Sequence, residues 1–172
     1  MRLLFELDTK DYKANGKIHV RDSARCINIK NGLIAMVHSL KYDYYKFPGG
    51  GIEAGESAKT AAIRETLEET GLVVIPESVR EYGYVHRIQK DDTGIADIFV
   101  QDNYYFFCDV EESVHAQKLD DYEAKENFTL EYVEADKAIS ANRKEHHGSP
   151  DKIMNERDAM VLELLKAEGY FD

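Results

Sequence analysis

Three glutamates and an arginine are spaced so that a short helix would carry all three carboxylates on one face. Glu65, Glu68 and Glu69 follow Arg64 in a stretch that ends at Gly71. On a helix of about 3.6 residues per turn, Glu69 lies about 40° to one side of Glu65 and Glu68 about 60° to the other. Like charges at these spacings destabilise an isolated helix by about 0.2–0.5 kcal/mol per pair. An oxygen-liganded cation such as Mg²⁺, Mn²⁺ or Ca²⁺ would offset that cost.

The segments on either side of the glutamates predict how they are positioned. Ser57 is a good N-cap for a helix over 58–70, and Gly71 is a good terminator. The run Pro48-Gly49-Gly50-Gly51 cannot be helical and lets backbone approach a ligand or metal closely. Small residues near the carboxylate face predict that the helix packs close to this glycine loop; they are Ala58, Ala61 and Ala62.

The fixed positions of this stretch resemble the signature of the Nudix hydrolases. That pattern is G-x(5)-E-x(7)-R-E-U-x-E-E-x-G-U, where U is aliphatic. Here it falls on Gly50, Glu56, Arg64, Glu65, Thr66, Leu67, Glu68, Glu69, Gly71 and Leu72. Thr66 stands where the family has an aliphatic residue. Its β-branched shape predicts only a small effect on packing.

The resemblance implies a fold, an activity and a set of roles. We expect an α/β protein, a Nudix-type α/β/α sandwich with a mixed β-sheet flanked by helices, and one domain over residues 1–172. We expect metal-dependent hydrolysis of the pyrophosphate bond in a nucleoside diphosphate linked to another moiety, with Mg²⁺ or Mn²⁺ as cofactor. By resemblance, Arg64 orients the glutamates and Glu56 fixes loop to helix. The expected metal ligands are Gly50, through its carbonyl, and Glu65, Glu68 and Glu69.

The general base lies outside the signature or is one of its glutamates. By resemblance we choose Glu126, which directly precedes an expected strand over 128–133. Glu123 and Glu112 are rivals, and a solvated loop is an equally good interpretation of each.

The remaining pattern predicts mixed α/β structure. Residues 26–29 alternate, Asn31-Gly32 predicts a hairpin, and 33–37 is an apolar run, so we expect an outer strand beside a central one. Residues 111–127 are expected to form a long acidic loop. The other expected strands and helices span 3–7, 72–75, 79–90, 95–110, 135–144 and 152–166.

The composition limits the partners. A net charge of −11 argues against nucleic acid or membrane as the main partner, because both are polyanions. An anionic small molecule, a nucleotide, remains possible where a divalent cation reverses the local field. Cys26 and Cys108 are expected to be buried thiols, and the absence of a long apolar run favours a cytoplasmic protein. A homodimer is compatible with the chain.

The sequence does not name the substrate. Arg87 stands where ADP-ribose pyrophosphatases of the family have a proline, and residues 88–90 lack the tyrosine of the dinucleoside polyphosphate hydrolases. His86, Arg87, Lys90 and Arg143 are candidates for phosphate contact or plain surface cations. Adjacent residues on a helix point about 100° apart, so we interpret His146-His147 as surface rather than as a metal pair.

Two other functions remain open at this point. One is a non-catalytic nucleotide or metabolite sensor on the same fold. Degenerate Nudix domains usually lose one of the carboxylates, and here all three are kept. The other is an acidic interaction domain whose helix matches the pattern by accident.

Overall fold

The computed structural model describes residues 1–145, 148–149 and 151–172. The prediction for His146-His147 lies outside the described residues. The elements in chain order are β1 (Leu3–Asp8), β2 (Ile18–Val20), β3 (Ser23–Ile27), β4 (Ile29–Lys30), β5 (Leu33–Ser39), β6 (Tyr44–Lys46), β7 (Gly49–Gly51), α1 (Ala58–Thr70), β8 (Leu72–Val74), β9 (Arg80–Lys90), β10 (Ile98–Phe107), β11 (Val110–Val114), α2 (Asp121–Lys125), β12 (Phe128–Val133), α3 (Ala135–Asn142) and α4 (Lys152–Ala167). None of the helices in the described part of the chain is long and apolar enough to cross a membrane.

Two sheets organise the chain. The larger is mixed, with strand order β1-β9-β10-β3-β7 and β2 also paired to β10. The smaller is antiparallel, with order β12-β5-β4 and β6 paired to β5. Strands β8 and β11 form a separate pair. The expected α/β architecture, a mixed sheet flanked by helices, is confirmed, and the second sheet is an addition to it.

The prediction of a single outer strand over 26–29 is wrong. Residues up to Ile27 belong to β3, which is buried throughout in the larger sheet, whereas Ile29 begins β4 in the smaller sheet. Asn28 marks the change of sheet. Its Nδ2 donates to the carbonyl of Cys108 at 2.9 Å, and its Oδ1 accepts from the hydroxyl of Tyr132 at 2.9 Å. The alternating residues therefore belong to a segment that leaves the larger sheet at Ile27 and enters the smaller sheet at Ile29.

The expected hairpin at Asn31-Gly32 is confirmed. Ile29 pairs with Ile34, and the two turn residues have φ of 53° and 74°. A two-residue loop with positive φ at both positions is the turn that suits the twist of paired strands. It leads into β5, which has neighbours on both sides as the apolar run predicted.

The two larger apolar clusters of the described residues hold the layers together. The larger lies between the sheets and the C-terminal helices, where α4 contributes Val161, Leu162 and Leu165. The smaller lies on the other face of the larger sheet, where Ala61 and Ala62 of α1 pack with residues of β3 such as Cys26. These small side chains let α1 lie close to the sheet, as predicted.

Residues 111–127 are not a structureless loop. They contain most of β11 and the short helix α2. A reciprocal cap begins α2, because the backbone N–H of Asp120 donates to Glu123 Oε2 at 2.8 Å while the Asp120 side chain accepts from the N–H of Glu123. This cap fixes the position of Glu123.

Candidate active site

Helix α1 begins and ends where the sequence predicts. Ser57 Oγ accepts the N–H of Thr60 at 3.1 Å, and the N–H of Gly71 donates to the carbonyl of Leu67 at 2.8 Å. Gly71 has φ of 75°, and a Cβ there would lie 1.9 Å from the carbonyl oxygen of His115. Both backbone conformation and space therefore require glycine at this position.

The glycines before α1 form the short strand β7 rather than the loop that was expected. Gly50 lies opposite Ala24 of β3. A Cβ on Gly50 would lie 2.5 Å from Cδ of Glu65, and a Cβ on Gly49 would lie 2.2 Å from the carbonyl oxygen of Ala24. The strand can thus pack against both its neighbour strand and the Glu65 carboxylate because it has no side chains.

Arg64 joins the glycine strand, the preceding turn and two of the glutamates. Its Nη1 donates to Glu65 Oε1 at 2.7 Å and to Glu68 Oε2 at 3.1 Å. Nε and Nη2 each donate to Glu56 at 2.9 Å, and Nη2 also reaches the carbonyl of Gly51 at 3.1 Å. The guanidinium therefore holds Glu65 and Glu68 in fixed positions on one side of the helix.

Glu69 has a different environment from the other two glutamates. It is 1% exposed, forms a close ion pair with Lys46 Nζ and accepts the N–H of Gly49 at 2.9 Å. Burial raises the pKa of Glu69 to about 7, against the opposing charge of Lys46. Sequence reasoning missed Lys46, because its stretch is notable only for tyrosines and no local signal relates it to α1.

The donor set of α1 suits a hard divalent cation. It consists of carboxylate oxygens, and burial raises the pKa of Glu65 as well as that of Glu69, so a nearby cation would stabilise both charged forms. A cleft of about 350 Å³ opens at Glu65 and Glu68 and is also lined by Glu123. Within the described residues, the side chains as they stand form no group of three acidic, histidine or cysteine residues close enough to hold an ion. In this arrangement Arg64 and Lys46 neutralise the carboxylates.

The three candidates for the general base lie in three different environments. The Glu126 carboxylate is buried, and its Oε2 accepts from Ser39 Oγ at 3.0 Å and from the Tyr44 hydroxyl at 2.7 Å. Glu112 is exposed in β11. Glu123, 5% exposed, lines the same cleft as Glu65 and Glu68.

A second, larger cleft borders the other side of β7. Its volume is about 680 Å³, and Gly51 lines both clefts. Arg87, a candidate from the sequence, lines this cleft, whereas Arg143 pairs with Glu156 and Glu163 on the protein surface. Lys90 is exposed, and His86 is bonded to Asp102 at 2.6 Å. Two further cations line this cleft without any local sequence pattern that marks them, and they are Arg25 and Arg157.

Comparisons with known proteins agree with the fold and the signature. The model of the NUDIX domain family matches residues 19–156. YtkD of Bacillus subtilis, provisionally named an 8-oxo-dGTP diphosphatase, is 29% identical over 128 residues, which are 74% of this chain and 70% of YtkD. An RNA pyrophosphohydrolase of Dinoroseobacter shibae is 60% identical over 30 residues, 17% of this chain and 19% of that protein.

Two solved structures have a similar fold. The E. coli ORF135 protein has a TM-score of 0.57 at 17% identity, covering 90% of this chain and 96% of its own. A Nudix hydrolase from Nitrosomonas europaea has a TM-score of 0.55 at 17% identity, covering 83% and 90%. Because the family match extends over residues 19–156 and the fold agrees with it, this chain belongs to the NUDIX domain family and is a Nudix pyrophosphohydrolase.

Proposed function

We propose that this protein hydrolyses the pyrophosphate bond of a nucleoside diphosphate linked to another moiety, and that it needs Mg²⁺ or Mn²⁺ to do so. The observation that carries the proposal is the Arg64 network, which fixes Glu65 and Glu68 beside a cleft that is open to a ligand. Because the reaction moves charge among phosphate oxygens, a site of this kind acts mainly by positioning groups and neutralising charge.

The metal would be held by Glu65, Glu68 and Glu69 with the carbonyl of Gly50. When bound, it would neutralise the phosphate oxygens and make the phosphorus easier to attack. This chain's own residues would do the rest. Arg64 would hold Glu65 and Glu68 in fixed positions beside the glycine strand. The backbone of β7, which carries no side chains, would let a phosphate approach closely.

A carboxylate would accept the proton of the attacking water. Glu126 remains our prediction from the resemblance, with Glu123 as its rival. The position of Glu123 in the cleft supports the rival, since a base must lie within hydrogen-bond reach of the water. The hydrogen bonds that Glu126 accepts from Ser39 and Tyr44 support a structural role for Glu126.

We further propose that residues 1–172 work as one catalytic domain. Strands from the N-terminal part of the chain, such as β1, and from its later part, such as β10, lie in the same larger sheet. Helix α4 packs against the larger apolar cluster.

The direct test is an activity panel. The protein is incubated with Mg²⁺ or Mn²⁺ and with nucleoside triphosphates, including an 8-oxo-dGTP sample suggested by YtkD, and with nucleotide sugars, ADP-ribose, dinucleoside polyphosphates and 5′-triphosphorylated RNA. Release of phosphate, pyrophosphate or nucleoside monophosphate is measured, with EDTA as the metal-free control. Metal-dependent turnover of at least one compound supports the proposal. Inactivity on the whole panel with both metals would contradict it and favour the sensor.

A further inference from the structure

The larger cleft is cationic in a strongly acidic protein. Six lysine and arginine side chains line it against three aspartates, although the chain as a whole has a net charge of −11. Its volume of about 680 Å³ is in the range that small-molecule sites occupy. The cleft adjoins the glutamate cleft at Gly51 and Arg21, which line both. A molecule bound at the glutamates could therefore extend into it.

Arg25 is a buried charge that has no counter-ion among the described residues. It is 6% exposed, and its Nη1 donates to the carbonyls of Phe47 and Gly49, each at 3.1 Å. Its Nε has no hydrogen-bond partner in the part of the chain that the structure describes. Among the described residues, no carboxylate lies within 4.0 Å of this guanidinium. A buried charge that lacks a partner is costly, so an anion that enters the cleft would relieve that cost.

Arg157 adds a second donor without an acceptor. It is 1% exposed, with Nε bonded to Asp158 at 2.8 Å and Nη1 to Asn103 at 2.6 Å, while Nη2 has no partner in residues 1–145, 148–149 and 151–172. Asp158 also accepts from the hydroxyl of Tyr105 and from the N–H of Phe47. Nη2 of Arg157 is thus a buried donor whose hydrogen-bonding capacity is unused among the described residues.

Arg87 lies on the same face of the sheet. Strand register places Arg25 opposite Tyr105 and Arg87 opposite Gln101, and alternate residues of β10 point to one face. Burial lowers the pKa of Arg87, and the charges of Arg157 and Arg25 lower it further while Asp151 opposes them. Three guanidinium groups thus lie near enough to one another to interact.

On the basis of the proposed function, we propose that this cleft binds a phosphate group of the substrate other than the two joined by the cleaved bond. The substrate class is then a nucleotide with at least one additional phosphate, such as a nucleoside triphosphate, rather than a nucleotide sugar whose second moiety is neutral. A tetrahedral oxyanion has enough acceptor oxygens for several guanidinium donors at once, which a nucleobase edge does not. Arg25 and Arg157, which both line the cleft, would supply guanidinium donors to that phosphate.

The first experiment separates the anion site from catalysis. Calorimetry measures the binding of inorganic phosphate and tripolyphosphate to the protein in EDTA, where the glutamates hold no metal. We expect wild-type protein to bind tripolyphosphate, and Arg25→Gln to bind it about tenfold to hundredfold more weakly, because hydrogen bonds to a charged group are lost. Arg143→Gln is the matched control, since Arg143 lies outside the cleft and pairs with glutamates at the surface. No binding by wild-type protein, or equal binding by Arg25→Gln, would overturn the proposal.

Arg25→Lys keeps the experiment decisive if the glutamine variant does not fold. Lysine keeps the charge but not the planar fork of donors, so we expect affinity between those of wild type and Arg25→Gln. Thermal unfolding of each variant without ligand establishes that it is folded. A second variant, Arg87→Gln, is measured in the same way. If both it and a folded Arg25→Lys variant bind tripolyphosphate with wild-type affinity, the guanidinium groups do not form the anion site.

The second experiment assigns the bound phosphate to the substrate. The ratio of kcat/KM for a nucleoside triphosphate to that for a nucleotide sugar of the same base is compared between wild type and Arg25→Gln. We expect the ratio to favour the triphosphate in wild type and to fall about tenfold in the variant. An equal loss on both substrates would overturn the assignment. Tripolyphosphate binding without turnover of any nucleotide would contradict the proposed hydrolysis and leave the anion site supported.

Discussion

At the scale of single residues, the signature glutamates are not equivalent. Arg64 holds Glu65 and Glu68 at the cleft, where their side chains are partly exposed, whereas Lys46 holds Glu69 in the interior. The three carboxylates share a helical face, yet two different cations compensate their charges. Substitutions of these residues should therefore differ in how strongly they affect activity and how strongly they affect stability.

Glu69→Gln should affect stability as well as activity. The substitution leaves the buried ammonium of Lys46 without its partner, which should cost about 3–5 kcal/mol of unfolding free energy, and loss of a metal ligand should reduce activity by about 10²-fold or more. Urea unfolding and kcat/KM measure the two effects. The double variant Lys46→Met/Glu69→Gln is the control, and it should recover much of the stability but none of the activity. A Glu69→Gln variant as stable as wild type would contradict a stabilising ion pair between Glu69 and Lys46.

The general base is tested by two matched variants. Glu126→Gln and Glu123→Gln both remove a carboxylate from the α2 segment while keeping its shape. The variant that lacks the base should lose about 10²-fold in kcat. The resemblance predicts this loss for Glu126→Gln. Glu123 is the rival for the role of general base because it lines the cleft with Glu65 and Glu68. Steady-state kinetics with unfolding curves decide between them, because loss of the hydrogen bonds to Ser39 and Tyr44 would lower the Tm of Glu126→Gln without a comparable loss in kcat.

At the scale of elements, the site depends on the close approach of one strand and one helix. Strand β7 has no side chains, and α1 presents alanines to the sheet. The turn between them is connected to α1 through Glu56, which accepts two hydrogen bonds from Arg64. Geometry at the glutamates is thus set by contacts that join consecutive elements.

Gly50→Ala should impair activity more than Gly51→Ala. A Cβ at position 50 would lie 2.5 Å from Cδ of Glu65 and must displace that carboxylate. The nearest atoms to a Cβ at position 51 would belong to the guanidinium of Arg21, at 3.2 Å, which can move. Misplacement of a group by about 1 Å can cost about 10²-fold in rate. Measurement of kcat/KM for both variants checks the order, and equal losses would contradict it.

The stability that the contact between Glu56 and Arg64 contributes should depend on pH. The hydrogen bonds from Arg64 hold the pKa of Glu56 below its ordinary value of 4.5. A carboxyl group whose pKa is lower in the folded state stabilises the fold above its unfolded pKa, and this stability is lost as pH falls through the folded pKa. The Tm of wild type should therefore exceed that of Glu56→Gln at pH 7, and the difference should shrink below about pH 4.5. A difference that stays constant from pH 7 to pH 3 would show that the charge of Glu56 does not matter.

At the scale of the whole molecule, charge is distributed unevenly. The chain has a net charge of −11, yet lysines and arginines outnumber carboxylates in the lining of the larger cleft, whereas carboxylates outnumber cations in the lining of the neighbouring one. An anionic substrate can meet this protein at the cationic cleft directly, and at the glutamates through a divalent ion. Metal should therefore stabilise the native protein.

Addition of Mg²⁺ or Mn²⁺ should raise the Tm. An ion that binds only the folded state stabilises it by about 2.7 kcal/mol at a free concentration of 100 times Kd. The effect should be smaller in Glu68→Gln, whose partly exposed side chain makes the substitution mild for folding. Thermal scans with and without metal measure both. An unchanged Tm with either ion would contradict metal binding by the folded protein.

The sequence by itself determined the helix, its caps and the reaction class. Local signals were enough for these, because Ser57 and Gly71 fix the ends of α1 through hydrogen bonds to near neighbours, and the spacing of Glu56, Arg64 and the glutamates repeats a family pattern. The strand over 128–133 and the Asn31-Gly32 hairpin were equally predictable from periodicity and turn chemistry.

Only the tertiary structure decided which charges meet. Lys46 and Glu69 are 23 residues apart, and Arg25, Arg87 and Arg157 come from two strands and a helix that are brought to one sheet face by strand register and helix packing. The change of sheet at Asn28 likewise depends on partners at Cys108 and Tyr132. Contacts between residues far apart in sequence leave no periodic signal, so the cationic cleft and the separate environment of Glu69 could be found only in the folded chain.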